Sequence, residues 1–288
     1  MLLIAIIIAF IMLVVASITD LHNREVPDYL SYSLIFMAFA ISIISSIIEW
    51  SYIPFMTSLM GFVLSLIVAY GMFYLGQWGG GDSKLIMGLG TILGFNIFPL
   101  FGKNNFWLLI LIASIVFCGA MYGLVWSIFL AIKNRKIFIK HLNLWLQKRQ
   151  LTIARRIMLV ILLLMMIAIL TIVPNEFKIL LLTFVVMLYF IFYVWLFVKV
   201  IEETCMIKEI PIGKLTEGDW ILKDVYIGKK YITGPKDLGV SREQIESLKK
   251  YAAKGKIKTI TIKEGIPFIP AFLIAYTLTV VMYFMGVF

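Results

Sequence analysis

The sequence predicts an all-α polytopic membrane protein of about eight transmembrane helices, with a small α+β cytosolic insertion before the last helix. Two observations support this class. Hydrophobic residues make up 62% of the chain and charged residues only 15%, whereas a soluble domain carries about 25% charged residues. The apolar residues also form long unbroken runs, which do not fit the alternating pattern of a membrane β-barrel.

Apolar runs of membrane-spanning length recur along the chain and define the predicted spans. These spans cover residues 2–19, 29–48, 53–75, 83–101, 106–132, 157–173, 178–198 and 266–287. The connections at 49–52, 101–105 and 173–177 are short enough to be tight turns at one face of the membrane. The longer polar segments therefore fall on the opposite face.

Basic residues predict the orientation of these spans. With the N-terminus outside, 24 of the 26 lysines and arginines fall on one side, and only Lys103 and Lys178 fall on the other. The positive-inside rule assigns the basic side to the cytoplasm, so we expect a multi-pass protein of the plasma membrane. This distribution also accounts for the net charge of +10 without a nucleic-acid partner.

The polar segments divide the chain into five predicted parts. They are a membrane core containing five spans (1–132), a basic cytoplasmic interfacial loop (133–156), two additional spans (157–198), a small cytosolic α+β domain (199–265) and the last helix (266–288).

The basic loop mixes lysines and arginines with apolar residues, namely Ile137, Phe138, Leu142, Trp145 and Leu146. This pattern predicts an amphipathic helix on anionic lipid headgroups. The alternative is a simple extension of the fifth span.

The small domain contains three recognisable elements. "GDWILKDVYIGKKYI" alternates around a Gly-Lys-Lys turn and predicts a hairpin. A helix is expected after Ser241, with Gln244 at the capping-box position and Gly255 just past its end. Residues 256–263 then predict a strand.

Two carboxylates stand at the ends of predicted spans. Asp20 ends the first span, and Asp82, in "QWGGGDSKL", opens the fourth, both on the predicted cytoplasmic side. Carboxylates at membrane depth are costly and indicate function. The plainer alternatives are that Asp82 is an ordinary N-cap and that Asp20 is an interfacial loop residue.

As a pair, the two aspartates fit hydrolysis by an activated water. One carboxylate would accept the proton of the water while the other protonates the substrate carbonyl. His22 and His141 fall at interfacial positions, and the sequence has neither a zinc-protease motif nor a Gly-x-Ser-x-Gly turn. Cys118 and Cys205 are too few for a disulfide framework or a metal cluster. We therefore expect no metal and no cofactor.

Helix geometry allows the pair to meet. On the first helix, Ala5, Ala9, Ala16 and Asp20 lie within about 60° of one face. A Gly-x-x-x-Gly step, Gly90 to Gly94, gives the fourth helix a small face. Small faces let membrane helices approach closely, so we expect these two helices to pack together.

The two aspartates differ in their position on their helices. A helix dipole favours an anion at the N-terminus, where Asp82 lies, and disfavours it at the C-terminus, where Asp20 lies. This difference predicts Asp82 as the ionised base and Asp20 as the acid, although coupled carboxylates titrate as a pair.

The motifs around both aspartates resemble those of a known family. Gly79-x-Gly81-Asp82 matches the signature of the GxGD membrane aspartyl proteases, and "ITDLHNREVPDYLS" is similar to the first-aspartate motif of the type IV prepilin peptidases. The last span opens with "EGIPFIPAFLIAY", which resembles the Pro-Phe-x-Pro helix of the same family. Thr19, where presenilin-like proteases have tyrosine, favours the prepilin branch, and the late cytosolic insertion resembles the archaeal prepilin and preflagellin peptidases.

This resemblance implies a membrane endopeptidase that cuts class III signal peptides at the cytoplasmic face, with Asp20 and Asp82 as the catalytic pair. Its expected partners are type IV pilin or archaellin precursors, two alternatives that stay open, and membrane lipid. Bacterial relatives that also N-methylate their product often carry Cys-x-x-Cys pairs. This chain has none, so we expect cleavage without methylation.

Residues beside the aspartates are candidates for substrate binding. Glu25 and Asp28 are expected to hold the basic leader of the substrate, unless they are solvated loop charges. Lys84 either steadies Asp82 or extends to the lipid headgroups.

Glycines and prolines near the site have expected roles of their own. The glycines have no Cβ and tolerate positive φ, so they would let an extended substrate approach the backbone; they are Gly79, Gly80 and Gly81. The start of the last helix either borders the site through an irregular turn or has ordinary first-turn prolines; its residues are Pro267, Phe268 and Pro270.

Two other functions are compatible with parts of this pattern. One is a broader intramembrane GxGD protease that acts on other single-span substrates. The other is a non-enzymatic transporter or assembly scaffold, although a transporter would show paired repeats and charges at mid-membrane. Whichever protease it is, we expect a substrate-free site to be open, with closure bringing the carboxylates together.

Overall fold

The computed structural model describes residues 1–96, 105–228, 230–237, 239–255 and 257–286. The helices found there are α1 (Leu2–Asn23), α2 (Asp28–Ile48), α3 (Ile53–Tyr74), α4 (Gly80–Leu93), α5 (Trp107–Lys133), α6 (Arg135–Gln147), α7 (Arg149–Ile172), α8 (Asn175–Thr204), α9 (Arg242–Ala253) and α10 (Ile269–Phe284). The strands are β1 (Ile207–Pro211), β2 (Trp220–Ile221), β3 (Val225–Ile227), β4 (Lys230–Thr233) and β5 (Thr259–Lys263).

Within the described residues, six helices are long and apolar enough to cross a membrane: α1, α2, α3, α5, α7 and α8. The predicted fold class is thereby confirmed, including the strand-containing region before the last helix. The predicted fourth and eighth spans correspond to shorter helices, α4 with 14 residues and α10 with 16. At about 1.5 Å per residue, neither helix alone matches the ~30 Å apolar layer of a bilayer.

Part of the predicted fourth span and the turn after it, at 97–101 and 101–104, lie outside the described residues. The total of eight spans therefore stays a prediction.

The chain divides into two compact units. The first comprises Met1–Gly123, Ile210–Ile260 and Gly265–Phe288, and the second comprises Leu124–Glu209 and Thr261–Glu264. The first unit contains both candidate aspartates, so its packing is described first.

The core of the first unit forms where α1, α2, α3, α4 and α10 pack together. Large apolar side chains such as Leu13, Leu89 and Phe272 are fully buried there. The hydroxyl of Tyr276, on α10, donates to the Ile6 carbonyl of α1 at 3.1 Å. This bond satisfies the polar end of a large buried side chain and joins α1 to α10.

Small residues let α3 and α4 approach each other closely. A Cβ atom added at Gly61 would lie 2.1 Å from the Gly90 carbonyl oxygen, and one added at Gly90 would lie 2.5 Å from Ser65 Cβ. A Cβ at Gly94 would lie 3.2 Å from the Thr57 carbonyl oxygen. The Gly90–Gly94 face therefore packs on α3, although α1 and α4 are also in contact, as expected.

In the second unit, the basic loop forms a separate helix, α6, and is not an extension of α5. Asn134 breaks the helical path with φ −111°. The apolar side of α6 packs on residues of α7 and α8, in a cluster of Leu151, Leu196 and Val200 with Phe138, Leu142, Trp145 and Leu146. Its position at a membrane surface stays a prediction.

The helix after α6 begins earlier than the predicted sixth span, which started at residue 157. α7 starts at Arg149, so its first two turns carry Arg149, Arg155 and Arg156. The basic end of the loop is thus already helical, and it leads directly into the apolar run 157–172.

The predicted hairpin is present in the small domain. β3 and β4 pair antiparallel, with Tyr226 opposite Tyr231, and Gly228 adopts φ +64° in the turn. β5 corresponds to the predicted strand, of which Lys256 lies outside the described residues. β1 was not predicted, and the three-stranded sheet has the order β1-β5-β2.

The predicted capping box of α9 is also confirmed. The Gln244 N–H donates to Ser241 Oγ at 3.3 Å, and the Ser241 N–H donates to Gln244 Oε1 at 2.9 Å. Gly255, just past the helix end, has φ +71°, the left-handed conformation that glycine adopts without a Cβ clash.

Candidate active site

Asp20 lies on the buried face of the last turns of α1. Ala5, Ala9, Ala16 and Asp20 are all buried, with Asp20 only 6% exposed. The face predicted from their spacing is therefore the one that packs into the core. A buried carboxylate needs hydrogen-bond partners to offset its lost hydration.

The start of α10 supplies a partner for Asp20. The Ile269 N–H donates to Asp20 Oδ2 at 2.9 Å. Ile269 is the first residue of α10, so its N–H has no acceptor within the helix. Pro270 follows it in the first turn, and a proline has no N–H to be satisfied. The start of α10 thus lies beside Asp20, and the role of Pro267, Phe268 and Pro270 at a substrate site stays a prediction.

This contact removes the difference that the helix dipoles were expected to create between Asp20 and Asp82. Asp20 lies at the C-terminus of its own helix, but its side chain also lies at the N-terminus of α10. Asp82 lies at the N-terminus of α4. Each carboxylate therefore faces the positive end of a helix dipole, and the dipoles no longer distinguish an acid from a base.

Arg24 ends α1 in a left-handed conformation, with φ 58° and ψ 28°. Its guanidinium donates to the Gly265 carbonyl, four residues before α10 begins. Non-glycine residues with positive φ are uncommon, so we infer that contacts such as the one with Gly265 stabilise this turn. The sequence motif did not indicate a left-handed residue at this position.

Asp82 is the third residue of α4 rather than its N-cap. The Gly79 N–H donates to Asp82 Oδ2 at 3.0 Å, so the side chain reaches back to satisfy the backbone before the helix. Among the described residues, no hydrogen bond joins the two carboxylates directly.

The three glycines before Asp82 do not use positive φ. Gly79 is extended, with φ −72° and ψ 169°, and Gly80 and Gly81 belong to α4. A Cβ at Gly81 would lie 2.8 Å from Val26 Cβ, whereas one at Gly80 would meet nothing within 4 Å. Gly81 is therefore required by close packing against the segment after α1, and Gly80 is free of that constraint.

Lys84 binds a carboxylate, but not that of Asp82. Its Nζ lies 2.5 Å from Asp28 Oδ1 and 5.1 Å from the centre of the Tyr32 ring. Neither predicted alternative for Lys84 describes this ion pair. The Asp28 side chain remains 62% exposed, and Glu25 is exposed in the loop before it.

Aromatic packing joins the Asp82 segment to α10. Trp78 is buried and contacts the Phe272 ring at 5.3 Å, and Phe272 contacts Phe268 at 5.7 Å. A Cβ at Gly119 of α5 would lie 2.4 Å from the Phe268 ring. Trp78, which lies shortly before Asp82, and Phe268, which precedes Ile269, thus pack into one core with Phe272. The sequence did not indicate this packing.

Two polar residues near Asp20 were also not predicted. Ser17, one turn earlier, is buried, and its hydroxyl has no hydrogen-bond partner among the described residues. Tyr122 of α5 is close enough for the charge of Asp20 to act on its hydroxyl. Serine and tyrosine in apolar helices are common, so their sequence context carries no signal for such a position.

Comparison with known proteins agrees with the motifs. Residues 7–132 match the type IV leader peptidase family. Preflagellin peptidase of Methanococcus voltae is 32% identical over 91 residues, which is 32% of this chain and 39% of that protein. Preflagellin peptidase of Methanocaldococcus jannaschii is 38% identical over 87 residues, 30% of this chain and 37% of that protein.

The chain thus spans less than two fifths of the length of these relatives. Over the matched part, the resemblance to the archaeal branch of the prepilin peptidases is confirmed.

Proposed function

We propose, taking the type IV leader peptidase family of residues 7–132 as the premise, that this chain is a membrane aspartyl endopeptidase. It cleaves class III signal peptides of type IV pilin or archaellin precursors at the cytoplasmic membrane face. Cleavage proceeds through a water activated by Asp20 and Asp82, without N-methylation of the product.

The observation that carries this proposal is the matching environment of the two aspartates. They are 62 positions apart in the chain and belong to different helices, α1 and α4, of one compact unit. Both carboxylates accept backbone N–H bonds at the start of a helix. A buried carboxylate and a partly buried one, each held by a backbone bond, are suited to share a proton when they are brought together.

In the proposed reaction, one carboxylate accepts a proton from water while the other donates a proton to the oxygen of the scissile carbonyl. The resulting tetrahedral intermediate collapses when the carboxyl group that took the water proton donates it to the leaving amine, while a hydroxyl of the intermediate returns a proton to the other carboxylate. The proton inventory of the pair is restored at the end of the cycle. The pair titrates as a unit, so we assign the two roles to the dyad as a whole.

The substrate has to present an extended backbone, because a helix hides its carbonyls in hydrogen bonds. Exposed Glu25 and Asp28 are suited to hold a basic leader. Asp28 would release Lys84, its present ion-pair partner, and bind a basic residue of the substrate instead. The name of both relatives, preflagellin peptidase, supports a precursor of this class as the substrate. The positive-inside distribution supports a cytoplasmic site.

The test uses membranes that contain the full chain and a pilin or archaellin precursor. Asp20→Asn and Asp82→Asn keep the size of each side chain but remove its charge. Each is expected to slow the shift in precursor size by about 10²- to 10⁴-fold, the usual contribution of acid–base catalysis. Asp224→Asn, on an exposed side chain of the small domain, is the matched control and should still cleave.

Retained cleavage in either single variant would exclude the dyad. A pH–rate profile with only one titrating group would also count against it. Cleavage of unrelated single-span proteins at a similar rate would favour the broader protease. Comparing a pilin precursor with an archaellin precursor then identifies the preferred substrate.

A further inference from the structure

The second unit contains a basic cavity that has no part in the proposed reaction. Its volume is about 240 Å³. Thr152, Arg155, Arg156 and Leu159 of α7 line it together with Tyr193 of α8. Two arginines and two hydroxyl-bearing residues therefore line one cavity together with a leucine.

The cavity lacks a protein anion. Residues 133–156 contain eight lysines and arginines and no acidic residue. Among the residues that the structure describes, the ion pairs do not include Arg155 or Arg156. The acidic residues at the end of α8 are engaged elsewhere, Glu202 with Lys199 and Lys263, and Glu203 with Trp145. Adjacent like charges repel each other and attract an anion, so the cavity is suited to an anion from outside the chain.

The chemistry of the lining favours a phosphate. Arginine presents a planar fork of donors that binds phosphate oxygens in pairs. Arg155 lies close enough to Tyr193 for its charge to act on that hydroxyl, and Tyr189 Oη lies 3.4 Å from Tyr193 Oη. The lining thus offers the hydroxyls of Thr152 and Tyr193 as donors in addition to the two arginines.

The position along α7 indicates the source of the phosphate. Arg155 and Arg156 are the last charged residues before the apolar run 157–172, which at about 1.5 Å per residue is about 24 Å long. The two arginines therefore fall at the boundary of the apolar layer, where lipid phosphates lie. Leu159 is 51% exposed one turn further along, so the apolar chain of a lipid would continue along α7.

The neighbouring helix α6 also indicates that this part of the protein lies at the boundary of the apolar layer. Lys148, at its end, stacks on the Trp145 ring at 3.6 Å, and tryptophan is enriched at membrane interfaces. Ile137 and Leu144 stay about half exposed although the opposite apolar side of α6 packs on the protein. We propose that the cavity between α7 and α8 binds the phosphate group of an anionic membrane phospholipid.

The test measures lipid binding to the full chain in detergent by native mass spectrometry. Phosphatidylglycerol is the anionic probe, and phosphatidylcholine is the neutral comparison. The double variant Arg155→Gln/Arg156→Gln removes both cavity charges. The matched control, Arg135→Gln/Lys136→Gln, removes two charges of the same basic segment that do not line the cavity.

We expect the cavity variant to weaken phosphatidylglycerol binding by about 30-fold, as two surface cations contribute in total, and the control pair to change it far less. Equal losses in both variants would show diffuse attraction and overturn the site. Equal binding of phosphatidylcholine, or displacement of the lipid by inorganic phosphate at the same concentration, would overturn the assignment to an anionic lipid.

If the glutamine variant does not fold, Arg155→Lys/Arg156→Lys keeps the charge but removes the paired donors. It should bind phosphatidylglycerol several-fold more weakly than the wild type, and unchanged affinity would contradict the proposal. None of these measurements depends on peptidase activity.

Discussion

The carboxylate of Asp20, on the last turns of α1, accepts a hydrogen bond from the backbone N–H of Ile269, 249 positions later in the chain. The bond ties the first candidate aspartate to the start of the last helix. Arg24 adds a second tie, since its guanidinium binds the Gly265 carbonyl just before that helix. The geometry of Asp20 is therefore set by α10 as well as by α1.

A shorter side chain at position 24, which cannot contact Gly265, should impair the proposed reaction without unfolding the protein. Asparagine tolerates the left-handed conformation, so Arg24→Asn keeps the turn but loses the contact with Gly265. We expect kcat to fall about 10- to 100-fold because the start of α10 is displaced, while KM changes little. Arg24→Lys, which keeps a donor of similar length, should restore part of the rate. Full activity in Arg24→Asn would show that the contact does not position Asp20.

Two neighbouring glycines should respond differently to a methyl group. Gly81→Ala places a Cβ against Val26, whereas Gly80→Ala meets open space. We expect Gly81→Ala to destabilise the protein by about 1–3 kcal/mol through overpacking, and Gly80→Ala to be neutral or stabilising by up to about 1 kcal/mol. Thermal unfolding in detergent measures both.

The same pair of variants tests whether the glycines face the substrate. If Gly80→Ala is stable but cleaves its precursor poorly, the open side of Gly80 contacts the extended peptide. If it is stable and fully active, the predicted role of Gly80 in substrate approach is wrong.

Glycines of α3 provide a comparable test of the contact between α3 and α4. A Cβ at Gly61 would lie 2.1 Å from the Gly90 carbonyl oxygen, and one at Gly71 would meet nothing within 4 Å. We expect Gly61→Ala to lower the free energy of unfolding by about 1–3 kcal/mol, and Gly71→Ala, inside the same helix, to leave it unchanged or raise it by up to about 1 kcal/mol. Equal unfolding temperatures for the two variants would contradict the observed packing of α3 on α4.

The ion pair between Asp28 and Lys84 should matter more for substrate than for stability. Both side chains are partly exposed, 62% for Asp28 and 28% for Lys84, and such pairs contribute about 0–1 kcal/mol, less in high salt. If Asp28 holds the basic leader, Asp28→Asn should raise KM for a precursor. Lys84→Met should lower KM, because it releases the Asp28 carboxylate.

Effects of Asp28→Asn and Lys84→Met in the same direction would show that the pair is only structural. A precursor whose leader lysines are replaced by glutamine is the control, and its KM should respond to neither variant.

Much of the fold was predictable because its signals are local. Long apolar runs, the capping box at Ser241 and Gln244, and the turn at Gly228 each depend on a few adjacent residues. The starts of helices were predicted less well. α4 begins at Gly80 and α7 at Arg149, several residues before the apolar runs, because polar residues join a helix once its ends are capped or packed.

The sequence by itself determined the membrane class, the two aspartates and their motifs, since composition and spacing are properties of the chain alone. Only the tertiary structure decided which surfaces meet. The Gly90–Gly94 face packs on α3, Lys84 pairs with Asp28, and Asp20 receives the N–H of Ile269. These contacts join residues far apart in the chain, and their selection depends on which packing fills space and satisfies buried polar groups.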